Sequence, residues 1–253
     1  MHNTSKLIIM CLSVLFLNGC AYAIDKKLSP PSDSQWVNVE VKNPSRYTKP
    51  FPLEVTYISH KCLKDRTSGF NGASESESSY NGIKIPLQQQ SGSDVWSAKV
   101  AMKGGGLCEW TLSEFNLGIQ YTDAVHLGKD LVPGTAVGAT IAFDNDASKN
   151  GQFRIVNGDL KMKPRYYPYI TEWNLIKHSK ELSLLGEDDF LSYRVMNAEK
   201  ISFAPSLDES KVVKYIEPEV KIKGVHPKII YPDGTVVSDG TVFPDFDKVD
   251  KMQ

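Results

Sequence analysis

The sequence lacks most of the features that announce chemistry. Cysteine is scarce, four in 253 residues, and no two form a Cys-x-x-Cys pair, which removes the dithiol redox and zinc-ribbon signatures. An excess of either charge is missing too. The formal net charge is -1, so the basic surface on which nucleic-acid binding leans is absent. There is no His-Glu-x-x-His, no Gly-x-Ser-x-Gly and no phosphate-binding loop ending in Gly-Lys-Ser/Thr, so zinc-peptidase, serine-hydrolase and nucleotide-hydrolysing signatures are not present. No internal repeat and no long amphipathic helical stretch occurs, which turns the reading away from solenoids and helix bundles.

The apolar run Leu7-Ile-Ile-Met-Cys-Leu-Ser-Val-Leu-Phe-Leu17, preceded by Lys6, is too short to span a bilayer and has the proportions of an export signal. Its end, Leu17-Asn-Gly-Cys20, resembles the lipobox of bacterial lipoproteins, with Asn18 departing from the usual small or aliphatic residue. The resemblance covers only the signal. It implies an acylated Cys20 as the first mature residue and, with Ala21 rather than Asp following it, retention at the outer membrane. Ala21-Tyr-Ala23 is a competing small-x-small site that would release a soluble periplasmic protein beginning at Ile24. Residues 1–19 are therefore read as the signal. Residues 20–35, with Pro30 and Pro31, are read as a disordered tether.

Cys11 falls inside the signal and Cys20 is acylated or removed. Cys62 and Cys108 remain, an even pair in an oxidising compartment, which predicts a disulfide. Closing a loop of that length contributes about 4 kcal/mol by chain entropy. His60, two residues before Cys62, would share a zinc site only if the disulfide were absent.

The folded part reads as mainly β: an antiparallel β-sandwich, in one domain or two. Val37, Val39 and Val41 alternate, as do Leu53, Val55 and Tyr57, the period of half-buried strands. The strongest hairpin signal joins Asp94–Lys103 to Leu107–Leu112 through Gly104-Gly-Gly106. The apolar phase then switches from Cys108, Trp110 and Leu112 to Phe115, Leu117, Ile119 and Tyr121, which predicts a bulge or bend near Ser113-Glu114. Arg66 to Asn81 reads as a solvated loop, and Thr135–Phe143 and Gln152–Val156 as strands. Phe190–Val195 with Lys200–Phe203 suggests a second hairpin, and Lys228–Tyr231 with Thr235–Val237 a third around Pro232-Asp-Gly234. Val220–Ile222 is a candidate short strand, and residues 245–253 look like a polar tail. A change in texture at Lys161 places a soft boundary between a sandwich over 36–160 and a second β-rich region over 161–253.

Catalytic residues, metal ligands and cofactors are not expected. Gly104-Gly-Gly106 joins strands rather than opening a helix, so it reads as a turn, not an anion cradle. Asp144-Asn-Asp146 begins like a calcium loop, but Lys149 occupies the glycine position and no glutamate closes it. The most suggestive stretch is Lys161 to Lys180, where Lys161, Lys163, Arg165, Lys177 and Lys180 outnumber Glu172 and surround four aromatic residues. Arg165, Tyr166, Tyr167, Tyr169 and Trp173 are the types enriched at interface centres, and they form the candidate binding face. Extended geometry puts Tyr167, Tyr169 and Trp173 on one side and Tyr166 on the other, with one of Tyr166 or Tyr167 expected to be exposed beside Arg165. The expected function is non-enzymatic binding of a protein or cell-wall partner by a lipid-anchored envelope protein, as in toxin neutralisation or assembly. An envelope hydrolase acting on glycan or peptide is the alternative, and it requires a cleft with a buried acid, base or nucleophile.

Overall fold

The computed structural model describes residues 23–69, 72–149, 151–176 and 178–252. The expected export signal, Cys20 and Lys177 lie outside the described residues. In chain order the first strands are β1 (Trp36–Lys42), β2 (Thr48–Pro50), β3 (Leu53–Thr67), β4 (Ser74–Ile85), β5 (Gln88–Gln89), β6 (Val95–Ala101), β7 (Lys103–Gly105) and β8 (Trp110–Tyr121). Next come β9 (Leu131–Pro133), β10 (Val137–Ala142), the short helix α1 (Asn145–Ser148), β11 (Arg154–Asn157), β12 (Leu160–Met162), β13 (Arg165–Trp173) and β14 (Ser179–Leu185). The chain finishes with β15 (Phe190–Met196), β16 (Lys200–Phe203), β17 (Ser206–Leu207), β18 (Val213–Ile216), β19 (Lys228–Ile230), β20 (Val236–Val237) and α2 (Phe246–Asp250).

The strands form three sheets, ordered β12-β16-β1-β6-β5, β11-β15-β10-β8-β3-β4 and β20-β19-β18-β13-β14-β9. The protein is mainly β, as expected, but its sheets are mixed rather than purely antiparallel: β1 runs parallel to β16, β10 to β15, and β13 to β18. The reason is that the partners in these parallel pairs come from distant segments, with no hairpin to set their direction. Phe190–Val195 and Lys200–Phe203 therefore do not pair with each other. Nor does Lys161 separate the sheets, because β15 and β16 complete sheets founded by β10 and β1. The two sheets and one face of the third enclose a single apolar core, in which Val39, Phe115, Ile141, Tyr166, Leu182 and Phe203 are all buried.

The hairpin expected across Gly104–Gly106 is a corner between sheets. β6 pairs with β1, Val39 opposite Ala98, and only the three residues of β7 return along β8. Met102 joins the two sheets: its N–H donates to Gln35 O at 2.8 Å and its carbonyl accepts from Leu112 N at 2.9 Å. Alternation says that both arms face one core, which holds equally for strands in one sheet or in two facing ones. The Cys62–Cys108 disulfide is formed, with the Cα atoms 5.2 Å apart. The predicted bulge is present as well. Thr56 faces Glu114 and Tyr57 faces Leu112, so Ser113 is skipped.

Two segments are more ordered than their composition implied. Arg66–Asn81 contains most of β4, which pairs with β3 as far as Thr67 opposite Ser74. Its alternation carried no apolar signal because neither face of this arm is buried beyond Leu63. Backbone pairing and the Lys64–Glu77 contact at 3.1 Å hold it instead. Residues 23–35, expected to be a disordered tether, form a strap on the glycine run. Ser29 N donates to Gly104 O at 2.8 Å, Trp110 Nε1 to Asp25 O at 3.0 Å, and Asn81 Nδ2 to Lys26 O at 2.9 Å. Gly105 has φ +63°, and a Cβ there would lie 2.2 Å from Ser29 O. The glycines are thus a track along which a second backbone approaches, not merely a turn.

Gly105→Ala is expected to destabilise the fold by roughly 3 kcal/mol, left-handed strain adding to the clash. Limited trypsin digestion should then cut after Lys26 or Lys27 much faster than in the wild type. Gly92→Ala, also at positive φ but facing open space, should cost only about 1 kcal/mol. Cys62→Ala should lower stability by up to about 4 kcal/mol, read by urea denaturation.

Candidate functional site: an aromatic cleft on the third sheet

The alternation predicted along β13 is present, but both of its faces are covered. β13 is a central strand, paired with β14 on one edge and with β17 and β18 on the other. Tyr166 and Ile170 enter the main core. Tyr167 enters a second, smaller core with Tyr215, Ile229, Tyr231 and Val249. Tyr166 is 0% exposed and Tyr167 4%, so the expectation that one of them faces solvent is overturned. Arg165 is exposed, yet it is held by Asp250 at 2.8 Å, and the same carboxylate accepts from Tyr167 Oη at 2.6 Å. The covering element is α2, in the segment expected to be a polar tail. Val249 is fully buried, and Phe246 packs 5.8 Å from the Tyr167 ring. One apolar residue per turn is enough to dock so short a helix, and too little to show in a hydropathy pattern.

Toward its C-terminal end β13 is less covered. Tyr169 and Trp173 are only partly buried and line a cleft of about 560 Å³. Tyr215 of β18 forms the next wall, its ring 5.9 Å from Trp173 and inclined at 54°. The loop before α2 overhangs it with Val242 and Phe243, the latter 78% exposed. Ser183 Oγ, on β14, accepts from Thr135 N at 3.0 Å. The indole Nε1 of Trp173 is buried without a hydrogen-bond partner among the described residues. Burial pushes the Tyr169 phenol up to about 12, opposed by its hydrogen bond to Thr171 and reinforced by Tyr215 and Asp189. Glu187 and Asp189 stand exposed at the rim. Of the residues singled out from sequence, Tyr169 and Trp173 reach this cleft. Phe243, Glu187 and Asp189 were missed, because they come from loops whose proximity depends on β13 and β14 pairing. The adjoining pair Phe243-Pro244 after the Asp239-Gly240 turn was the one available sign: a large apolar side chain in a loop.

The other chemical candidates resolve into structural roles. Asp144 caps α1, accepting from Ala147 N at 2.7 Å, and no group of three or more His, Cys, Asp or Glu suited to a metal occurs among the described residues. His60 Nδ1 contacts Ser78 Oγ at 2.8 Å. His126 stacks on Tyr47 with ring centroids 3.6 Å apart, and its Nε2 lies 3.3 Å from Glu209 Oε1, close enough for an ion pair but without hydrogen-bond alignment. Ser45 Oγ donates to the same carboxylate oxygen at 3.1 Å. In a nucleophilic triad the histidine lies between serine and acid. Here the acid lies between serine and histidine, so the imidazole has no serine proton to take.

Tyr166 Oη is buried without a partner, so Tyr166→Phe should leave stability unchanged or raise it by about 1 kcal/mol in chemical denaturation. Alkaline unfolding follows from the same burial. Tyr57 and Tyr169 are both pushed up to about 12, chiefly by desolvation. Folded pKa values above the unfolded value of about 10 mean that their contribution is intact below pH 10 and is lost as pH rises toward 12. Thermal midpoints should be flat up to pH 9.5 and should fall between pH 10 and 12.

No family profile matches this chain, and neither the curated proteins nor the solved structures contain a significant match.

Proposed function

We propose that this is an exported, lipid-anchored envelope protein that acts by non-enzymatic binding, holding a segment of a protein or cell-wall partner in the aromatic cleft of the third sheet. Toxin neutralisation and envelope assembly are the two roles of this kind that the export signal suits. The observation that carries the reading is the cleft itself, in which Tyr169, Trp173 and Tyr215 wall a space overhung by the exposed Phe243. Apolar walls with a few fixed polar groups are the usual makeup of a binding cavity. An exposed aromatic at its edge supplies contact area at little entropic cost. The strap is consistent with anchoring. It is bonded to the fold at Asp25, five residues after Cys20, so an acyl group on Cys20 would be joined to that point by at most about 18 Å of chain.

A photoreactive benzoylphenylalanine at position 243 should give a discrete cross-linked adduct in intact cells. The same group at Ile155, exposed on the edge strand β11, should not. Equal labelling from both positions, or none from 243, would count against the cleft. Cys20→Ser should move the protein from the membrane fraction to the soluble one. A wild-type chain that starts at Ile24 and fractionates as soluble would show that cleavage follows Ala23 instead.

A further inference from the structure

We infer that the guest of this cleft is a positively charged side chain, a lysine or arginine presented by a basic segment of a protein partner. The inference rests on the binding reading above and adds the chemical class of the ligand. Charge supplies its first support. Among the described residues the lining contains Glu181, Glu187 and Asp189 and no lysine, arginine or histidine. Neither rim carboxylate, Glu187 nor Asp189, has an ion-pair partner among the described residues. Two cations of the same sheet are engaged elsewhere: Lys180 with Glu172 at 3.1 Å and Arg165 with Asp250 at 2.8 Å. An acidic guest would meet like charges and a neutral one would leave the two rim carboxylates, Glu187 and Asp189, unmatched.

The second support is the way this same sheet already treats its own cations. Lys248 Nζ sits 3.9 Å from the centroid of the Tyr231 ring, and Lys211 Nζ 5.5 Å from that of Tyr167. Both rings belong to the second core. At the far end of that core Tyr169, Trp173 and Tyr215 present ring surface with no cation from the described residues over it. Aromatic faces attract ammonium and guanidinium groups through the ring quadrupole, most strongly when partly removed from water. The open rings are thus the unoccupied counterpart of contacts the fold makes twice for itself.

The third support distinguishes a peptide-borne cation from a free one. A cleft of about 560 Å³ falls in the range that takes a ligand of a few residues.

The test is a titration of the complete mature chain, labelled with ¹⁵N, following the Trp173 indole N–H signal identified by its loss in Trp173→Phe. The probes are acetyl-tetralysine amide, acetyl-tetraglutamate amide and an uncharged tetramer of N-acetylglucosamine. Tetralysine should shift the signal saturably, and the Glu187→Gln/Asp189→Asn double variant should weaken it by about fivefold, the effect of two exposed carboxylates. Phe243→Ala should also weaken it, with an unchanged melting temperature. A shift by the saccharide or the acidic peptide but not by tetralysine would overturn the cationic guest and leave the cleft as a binding site. No response to any probe would overturn both. A tetralysine response undiminished in the double variant would also overturn the inference, since the rim charge would then play no part.

Discussion

Everything distinctive in this fold depends on one strand being buried on both faces. β13 lends Tyr166 and Ile170 to the main core and Tyr167 to the second, so the period-two alternation that usually separates core from solvent here separates one core from another. That arrangement requires cover on the outer face, and α2 supplies it. Asp250 satisfies the Tyr167 hydroxyl and the Arg165 guanidinium together, so the last turn of structure is bonded to the strand it shields. Gly186 completes the fit on the inner side, where a Cβ would lie 2.5 Å from the Tyr166 ring. The cleft exists because the cover is short. A helix of five residues shields Tyr167 and leaves Trp173 at its margin.

At the other end of the molecule a second constraint ties the chain's beginning to its middle. The strap approaches Gly104–Gly106 so closely that backbone oxygens occupy the space of side chains. The indole of Trp110, fully buried, donates to the strap at Asp25 O. Nearby, Cys62–Cys108 pins the exposed β3–β4 arm to the corner where the chain changes sheets. Strap, corner and disulfide therefore stabilise one another: loss of the strap would unpair a buried donor, and loss of the disulfide would free the arm.

The contrast between segments shows which signals survive folding. The bulge at Ser113 was legible because a phase switch in a half-buried strand has one geometric remedy. The pairing of β19 with β20 was legible because Asp233-Gly234 specifies its own turn, Gly234 at φ +82°. The supposed hairpin across Gly104–Gly106 was not, since glycines that permit a tight turn also permit close backbone approach. The β4 arm was invisible because Ser74 to Glu77 pairs through its backbone while neither face is buried. In the candidate site, Tyr169 and Trp173 were legible as aromatic residues of an extended strand, but their neighbours Phe243, Glu187 and Asp189 were not.

Local properties of the chain were therefore decided by its sequence: mainly β structure, from period-two alternation, and the Cys62–Cys108 disulfide, from the two cysteines among the described residues. Which strands became neighbours was decided only by the tertiary structure. Alternation states that a residue faces a core without stating which core, and a strand's hydrogen-bonding edges carry no address. That is why alternation points one of Tyr166 and Tyr167 at solvent while both are interior, and why the cleft around Trp173 emerges only when β13, β18 and the loop before α2 are brought together.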